Sequence, residues 1–281
     1  MNSAAVDTVI TGARYVLTCD DTGSVHERAG IAVRDGRIVA VGDVDSFDAH
    51  RRIDATDCLV LPGLINLHTH LPMTLLRGVA ENVDLQGFLE RVWAEEARIM
   101  GPAGTYLGAR LGSLEALLGG TTTALDMYFH PESAHRGAVE VGIRHAIGPV
   151  FFDSPGPDGL EWSQRLDLAH RWPGVLDSLG GAYVPRFLMP HSPLIVNPDH
   201  LADIDGLARG MDARIHTHNS ENDKENDATV QAHGARPTAL LERAGLLDAR
   251  TVLAHCVRLN DDDRAAEARK REAFLRELLE L

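Results

Sequence analysis

Two histidine triplets carry the chemistry that this sequence offers: His68-Thr69-His70, and His216-Thr217-His218 with Glu221 three residues further on. A further histidine, His255, closes the apolar run Thr251-Val252-Leu253-Ala254-His255-Cys256. Residues i and i+2 of a strand project to one face, so each triplet turns two imidazoles to the same side when extended. Imidazoles converging from neighbouring strands suit Zn²⁺ or Fe²⁺. A carboxylate just past such a ligand can pass a proton from an attacking water to a leaving amine. Alternation alone does not choose between His216 and His218. Each feature also has an ordinary reading when taken singly. The chain has 14 histidines, and Glu221 opens the run Glu221-Asn222-Asp223-Lys224-Glu225-Asn226-Asp227, which reads as a solvated loop. A histidine that ends an apolar strand is as readily a satisfied core residue. Convergence tips the balance, because three separate sites fall at the same end of three strands.

The elements that must position these groups follow a change of rhythm in the chain. Residues 6–60 read as short strands (Val9-Ile10, Tyr15–Leu17, Ile31–Val33, Ile38–Val41) separated by turns, with Asp35-Gly36 as a hairpin signal. This is a small all-β unit. After Pro62-Gly63, strand-like runs over 64–70, 121–128, 144–152, 182–190, 212–218 and 250–256 alternate with helical spacing, clearest over 84–119 and 228–245. That cadence predicts six βα units on a parallel sheet, whose C-terminal mouth is where a barrel of this kind keeps its chemistry. From Asp261 onward the pattern is an amphipathic helix, with Phe274, Leu275, Leu278 and Leu281 on one face and Glu267–Arg271 and Glu272–Arg276 as charge pairs. Asn260 or Asp261 can cap it.

Composition narrows the function classes. The 281 residues hold 41 acidic and 27 basic side chains, a formal net charge of −14, which argues against nucleic acid or an anionic membrane as partner. No apolar stretch approaches the ~20 residues that span a bilayer. Cys19, Cys58 and Cys256 are widely spaced and odd in number, and the N-terminus lacks a basic region followed by an apolar one, so a reduced cytoplasmic protein acting on a small molecule is expected.

Taken together, the motifs resemble the amidohydrolase superfamily. Leu61-Pro62-Gly63-Leu64-Ile65-Asn66-Leu67-His68-Thr69-His70 is similar to its first barrel strand. Gly120-Thr121-Thr122-Thr123, Asp126-Met127-Tyr128, Pro190-His191-Ser192-Pro193, His216-Thr217-His218-x-x-Glu221 and Leu253-Ala254-His255-Cys256 follow in the family's order. The resemblance covers roughly residues 5–260 and is nearest the aminohydrolase and chlorohydrolase branch, in particular deaminases of S-adenosylhomocysteine and methylthioadenosine. It implies an α/β fold in which a small β-sandwich portion (1–60) precedes an incomplete (β/α)8, TIM-type barrel of about six βα strands (61–260), followed by the helical tail (261–281). It also implies His68, His70 and His218 as ligands of one divalent metal, zinc in preference to iron. Glu221 matches the proton shuttle, and His255 the histidine that orients the hydrolytic water or the substrate. His191 matches a substrate contact after the fourth strand. Glu96 falls near the position that holds ribose hydroxyls, with Glu95 one residue away as the competing alignment and a solvated helix face as the plain reading of both. Two-metal members bridge their ions with a carbamylated lysine from the barrel. Here Lys224 and Lys270 are the only lysines, which agrees with a single metal.

The chain departs from the family at its C-terminal side. The family's remaining ligand is an aspartate ending strand 8, and this sequence reads as shortened after the sixth strand. Asp261, Asp262 and Asp263 stand at a helix start, where the helix dipole favours them. Unpaired edges at strands 1 and 6 then predict association, either with a second copy or with a complementing chain. Three alternatives stay open: hydrolytic deamination of an aminopurine nucleoside; an aminohydrolase or dechlorinase reaction on another purine, pterin or triazine; and a catalytically silent fragment that binds a metal or a partner.

Overall fold

The computed structural model describes residues 5–269, and its chain divides into two compact units, Met1–Leu64 and Ile65–Leu281. The tail face through Phe274, Leu275, Leu278 and Leu281 lies outside the described residues.

The first unit is built on one mixed sheet. Strands β1 (Val6–Leu17), β2 (Val25–Arg34), β3 (Arg37–Gly42) and β4 (Ala49–Asp54) run in the order β3-β2-β1-β4, and β5 (Leu59–Val60) pairs with the far half of β1. Where the sequence reads two short strands at Val9-Ile10 and Tyr15–Leu17, the structure has a single strand with an irregular register between Ile10 and Ala13. Gly12 sits there at φ 72°, a conformation that costs glycine little. Asp35 (φ 50°) and Gly36 (φ 69°) make the two-residue hairpin between β2 and β3. Val6, Val9, Ala13 and Val16 of β1 are buried and contribute to its core.

The second unit is α/β. Its elements are β6 (Leu64–Thr69), a 3-10 turn (Leu71–Leu76), α1 (Leu85–Ile99), α2 (Pro102–Leu118), β7 (Thr121–Asp126), α3 (Pro131–Val139), β8 (Arg144–Ala146), β9 (Val150–Phe151), α4 (Trp162–Leu179), β10 (Phe187–Pro190), α5 (Pro198–Gly210), β11 (Arg214–Asn219), α6 (Asp223–His233), α7 (Pro237–Arg243) and β12 (Thr251–His255). They form two sheets, ordered β6-β7-β8 and β9-β10-β11-β12, in which β7–β8 and every pairing of the second sheet are parallel. Among the described residues β6 and β8 end the first order, and β9 and β12 the second.

The run 144–152, read above as one strand, is a correction: it is two short strands in different sheets. The break falls at Gly148-Pro149. A Cβ on Gly148 would lie 1.9 Å from the Phe187 carbonyl oxygen, so only glycine lets β10 approach there, and proline has no N–H to donate to a ladder. The run 182–190 is likewise extended only over Phe187–Pro190. The acidic run 221–227, read on its own as a loop, instead starts α6: the Asn222 side chain accepts from Glu225 N at 2.8 Å and caps it. Residues 261–269 are helical and begin with a reciprocal cap between Asn260 and Asp263. Asp263 also binds Arg236 Nε at 2.8 Å.

Strand residues such as Phe151, Leu188, Met189 and Ile215 are fully buried, and strands buried in this way read as apolar runs. No described helix is long and apolar enough to cross a membrane.

Candidate functional site

The strand ends bring the histidines together. His68 is the penultimate residue of β6 and His70 follows it, His216 and His218 lie on β11, and His255 ends β12. Ring centroids of His68 stand 4.8 Å from His70, 4.9 Å from His218 and 5.0 Å from both His216 and His255. His70 is 5.4 Å from His218, and His218 stacks 5.3 Å from His255. Among the described residues, the group of three or more side chains whose metal-ligating atoms all lie within 4.8 Å of one another is His68, His218 and His255. The sequence-based ligand set had His70 in place of His255. The turn out of β12 is tight, since His255 and Cys256 both take positive φ, 69° and 54°, a conformation that non-glycine residues adopt rarely.

Backbone acceptors orient the rings. His70 Nδ1 lies 2.7 Å from the Met127 carbonyl and His218 Nδ1 2.7 Å from the His191 carbonyl. A carbonyl oxygen only accepts, so each ring carries its proton on Nδ1 and keeps a lone pair on Nε2. His68 Nδ1 stands 2.9 Å from His216 Nε2, and His216 Nδ1 3.1 Å from the Val252 carbonyl. Burial pulls the His68 pKa down to about 3 and that of His216 to about 4, and holds His218 well below its ordinary value; the neighbouring histidines add to the effect on His68 and His218. Neutral imidazoles with free Nε2 lone pairs are the donor set that zinc and other borderline divalent ions prefer, so these residues fit such an ion.

Two cavities meet at this cluster. One, of about 370 Å³, is lined by His68, His70, Glu96, Tyr128, His218, Glu221 and His255. The other, of about 360 Å³, is lined by Leu194, Ile195, Asn222, Lys224 and Ala228. Leu89, Trp93, His191, His218 and Glu221 border both. Glu221 Oε2 lies 3.8 Å from His255 Nε2, and burial raises its pKa. His191 packs 4.8 Å from Phe152 and 6.3 Å from Trp93 between ring centroids. Its Nδ1 is buried without a hydrogen-bond partner among the described residues, an uncommon state for a buried polar atom. Glu96 faces the cavity from α1 and accepts from the Tyr128 hydroxyl at 2.7 Å, whereas Glu95 pairs with Arg98 on the outside of the helix.

Sequence reasoning did not single out Trp93, Tyr128 or Asp126 as site residues. Trp93 on a helical pattern reads as core. Asp126, fully buried at the end of β7, accepts from Leu71 N at 2.9 Å and lies 3.1 Å from His145 Nε2; a carboxylate closing an apolar strand was the available signal.

Comparison with known proteins places this geometry. Residues 59–278 match the amidohydrolase family. Over 255 residues the chain is 36% identical to a 5'-deoxyadenosine deaminase of Methanothermobacter thermautotrophicus, covering 90% of this chain and 58% of that protein. It is 32% identical to a 5-methylthioadenosine/S-adenosylhomocysteine deaminase of Moorella thermoacetica, covering 89% and 58%. An adenosine deaminase from Xanthomonas campestris crystallised with zinc superposes with a TM-score of 0.86 at 31% identity, over 95% of this chain and 61% of that one. Atrazine chlorohydrolase from Arthrobacter aurescens, also with zinc, gives 0.82 at 27% identity over 94% and 64%. The chain thus spans 58% of the length of the first two curated relatives.

Proposed function

Since this chain belongs to the amidohydrolase family, we propose that it serves the metal-dependent hydrolytic deamination of an adenosine analogue, of the kind its relatives' names describe: 5'-deoxyadenosine, methylthioadenosine or S-adenosylhomocysteine. The observation that carries this reading is the meeting of His68, His70, His218 and His255 beside Glu221 at the ends of β6, β11 and β12. In the same reading the two sheets of the second unit are arcs of a (β/α)8-type barrel.

His68, His70 and His218 would hold one divalent ion, zinc in preference to iron, through Nε2. Both nitrogens of His216 are engaged by His68 and Val252, which favours His218 as the ligand from β11. When bound, the ion supplies Lewis acidity that makes a water nucleophilic near neutral pH. His255 hydrogen-bonds the attacking oxygen. Glu221 takes a proton from the water and delivers it to the ring nitrogen beside the amino-bearing carbon. Glu221 then takes the remaining proton from the new hydroxyl on the tetrahedral carbon and passes it to the amine; as that carbon collapses to a carbonyl, the carbon–nitrogen bond breaks, and ammonia and the 6-oxo purine leave. Its raised pKa suits both directions of that transfer. Glu96 accepts from a sugar hydroxyl, and His191 fills its unmet Nδ1 with a substrate group.

Purified protein supplied with Zn²⁺ and each of the three nucleosides should release ammonia with loss of adenosine absorbance. Zinc-loaded protein that turns over none of them defeats the activity. A second reading, a zinc-binding chain without turnover, is favoured by one observation: among the described residues the ring-nitrogen cluster is joined by no carboxylate ligand.

A further inference from the structure

His216 is fully buried, at 0% exposure, and lines neither cavity, yet it touches the centre through one hydrogen bond. The direction of that bond follows from its other side. His216 Nδ1 faces the Val252 carbonyl across the β11–β12 pairing, where His216 and Val252 are register partners. The carbonyl can only accept, so the proton of neutral His216 sits on Nδ1 and its Nε2 is a bare lone pair. His68 Nδ1, 2.9 Å away, must then be the donor. A His68 protonated on Nε2 instead would set two lone pairs against each other at that distance. We propose that His216 is the positioning residue of the centre, its Nε2 accepting from His68 Nδ1–H so that His68 turns an unprotonated Nε2 to the metal. The inference rests on the metal-dependent reading above and assigns a role that the HxHxxE spacing left open.

The arrangement separates His68 from the other two rings. His70 and His218 are oriented by backbone carbonyls of Met127 and His191, which no substitution removes. His68 is oriented by a side chain, so its hold can be cut without touching the ligand. The relay Val252 C=O, His216, His68 also ties the end of β6 to the β11–β12 pair.

Two measurements test it. In metal-free wild-type protein, ¹⁵N spectra of the imidazoles should show His68 and His216 both protonated on Nδ1; His68 protonated on Nε2 overturns the proposal whatever the metal does. In zinc titrations against a chelator, His216→Leu should lose about 10–100-fold in affinity, the usual effect of removing a ligand's hydrogen-bond partner. His216→Gln, whose amide oxygen can reach the place of Nε2, should recover most of that loss even where its melting temperature stays as low as that of the leucine variant. Wild-type zinc affinity in His216→Leu, or equal losses in both variants, overturns it. If His216→Leu does not fold, the tautomer measurement and the glutamine variant decide. A wild-type protein that takes up no zinc defeats the proposed function, while the tautomers still report on His216.

Discussion

The Tyr128 hydroxyl donates a 2.7 Å hydrogen bond to Glu96 Oε1, tying the residues that follow β7 to the last turn of α1. Glu96 is only 3% exposed, and burial pushes its pKa from 4.5 up to about 7 in spite of the opposing pull of the tyrosine. The acid therefore ionises in the unfolded chain before it does in the folded one. Between those two pKa values the folded state holds the extra proton, so stability falls as pH rises through the window and levels off above it. Glu96→Gln keeps an acceptor for Tyr128 and removes the titration. Its melting temperature should vary less than that of wild type between about pH 5 and 7 and should exceed it at about pH 8. A wild-type melting temperature that rises across that window contradicts the assignment.

Glu221 sits 3.8 Å from His255 and borders both cavities. If it moves protons as proposed, it should matter to turnover and little to the ion. Glu221→Gln is expected to lower kcat by ~10²–10⁴-fold, the usual contribution of a positioned acid–base group, with zinc affinity unchanged in chelator competition. Loss of zinc together with activity would instead make Glu221 a ligand.

Zinc should stabilise the fold if the ends of β6 and β11 share it. A ligand at 100 times its Kd adds about 2.7 kcal/mol, so the melting temperature should climb with added Zn²⁺ and fall back with chelator. His218→Ala should remove the response, because β11 then contributes no ring to the ion. Equal zinc-dependent shifts in both proteins would place the ion elsewhere.

The site was more legible in the sequence than the fold around it. Period-2 alternation and strand-end placement were enough to bring His68, His70, His218 and His255 to one cluster, because those regularities belong to the strand itself. The choice between His216 and His218 was not legible, since alternation puts both on one side and the difference lies in Val252, 36 residues away. Glu96 and Glu95 differ by 100° of helix phase, which spacing leaves open and the Tyr128 and Arg98 contacts resolve. The interruption of the third strand had a signal in the sequence, the turn-marking pair Gly148-Pro149, which was passed over because apolar residues flank it on both sides, Ile147 before and Val150–Phe152 after. Its cause, the close approach of Phe187, is tertiary.

Arg165 offers a test of what holds the wall of the cavity. Its guanidinium, 1% exposed, binds both oxygens of Asp158, at 3.0 and 2.7 Å, and donates to the Val150 carbonyl at 3.0 Å. Val150 lines the cavity with the histidines. Removing one partner of a buried, bidentate pair leaves the other charge without compensation, so Asp158→Ala and Arg165→Ala should each cost about 3–5 kcal/mol in denaturant unfolding. Replacing both with apolar residues of similar size, Arg165→Met with Asp158→Leu, removes both charges and should recover most of that loss. Recovery should stay incomplete by about 1–3 kcal/mol, because the Val150 carbonyl then lacks its donor. Full recovery would show that the carbonyl finds another partner. A double variant as unstable as the sum of the singles would show that the pair contributes through packing rather than charge.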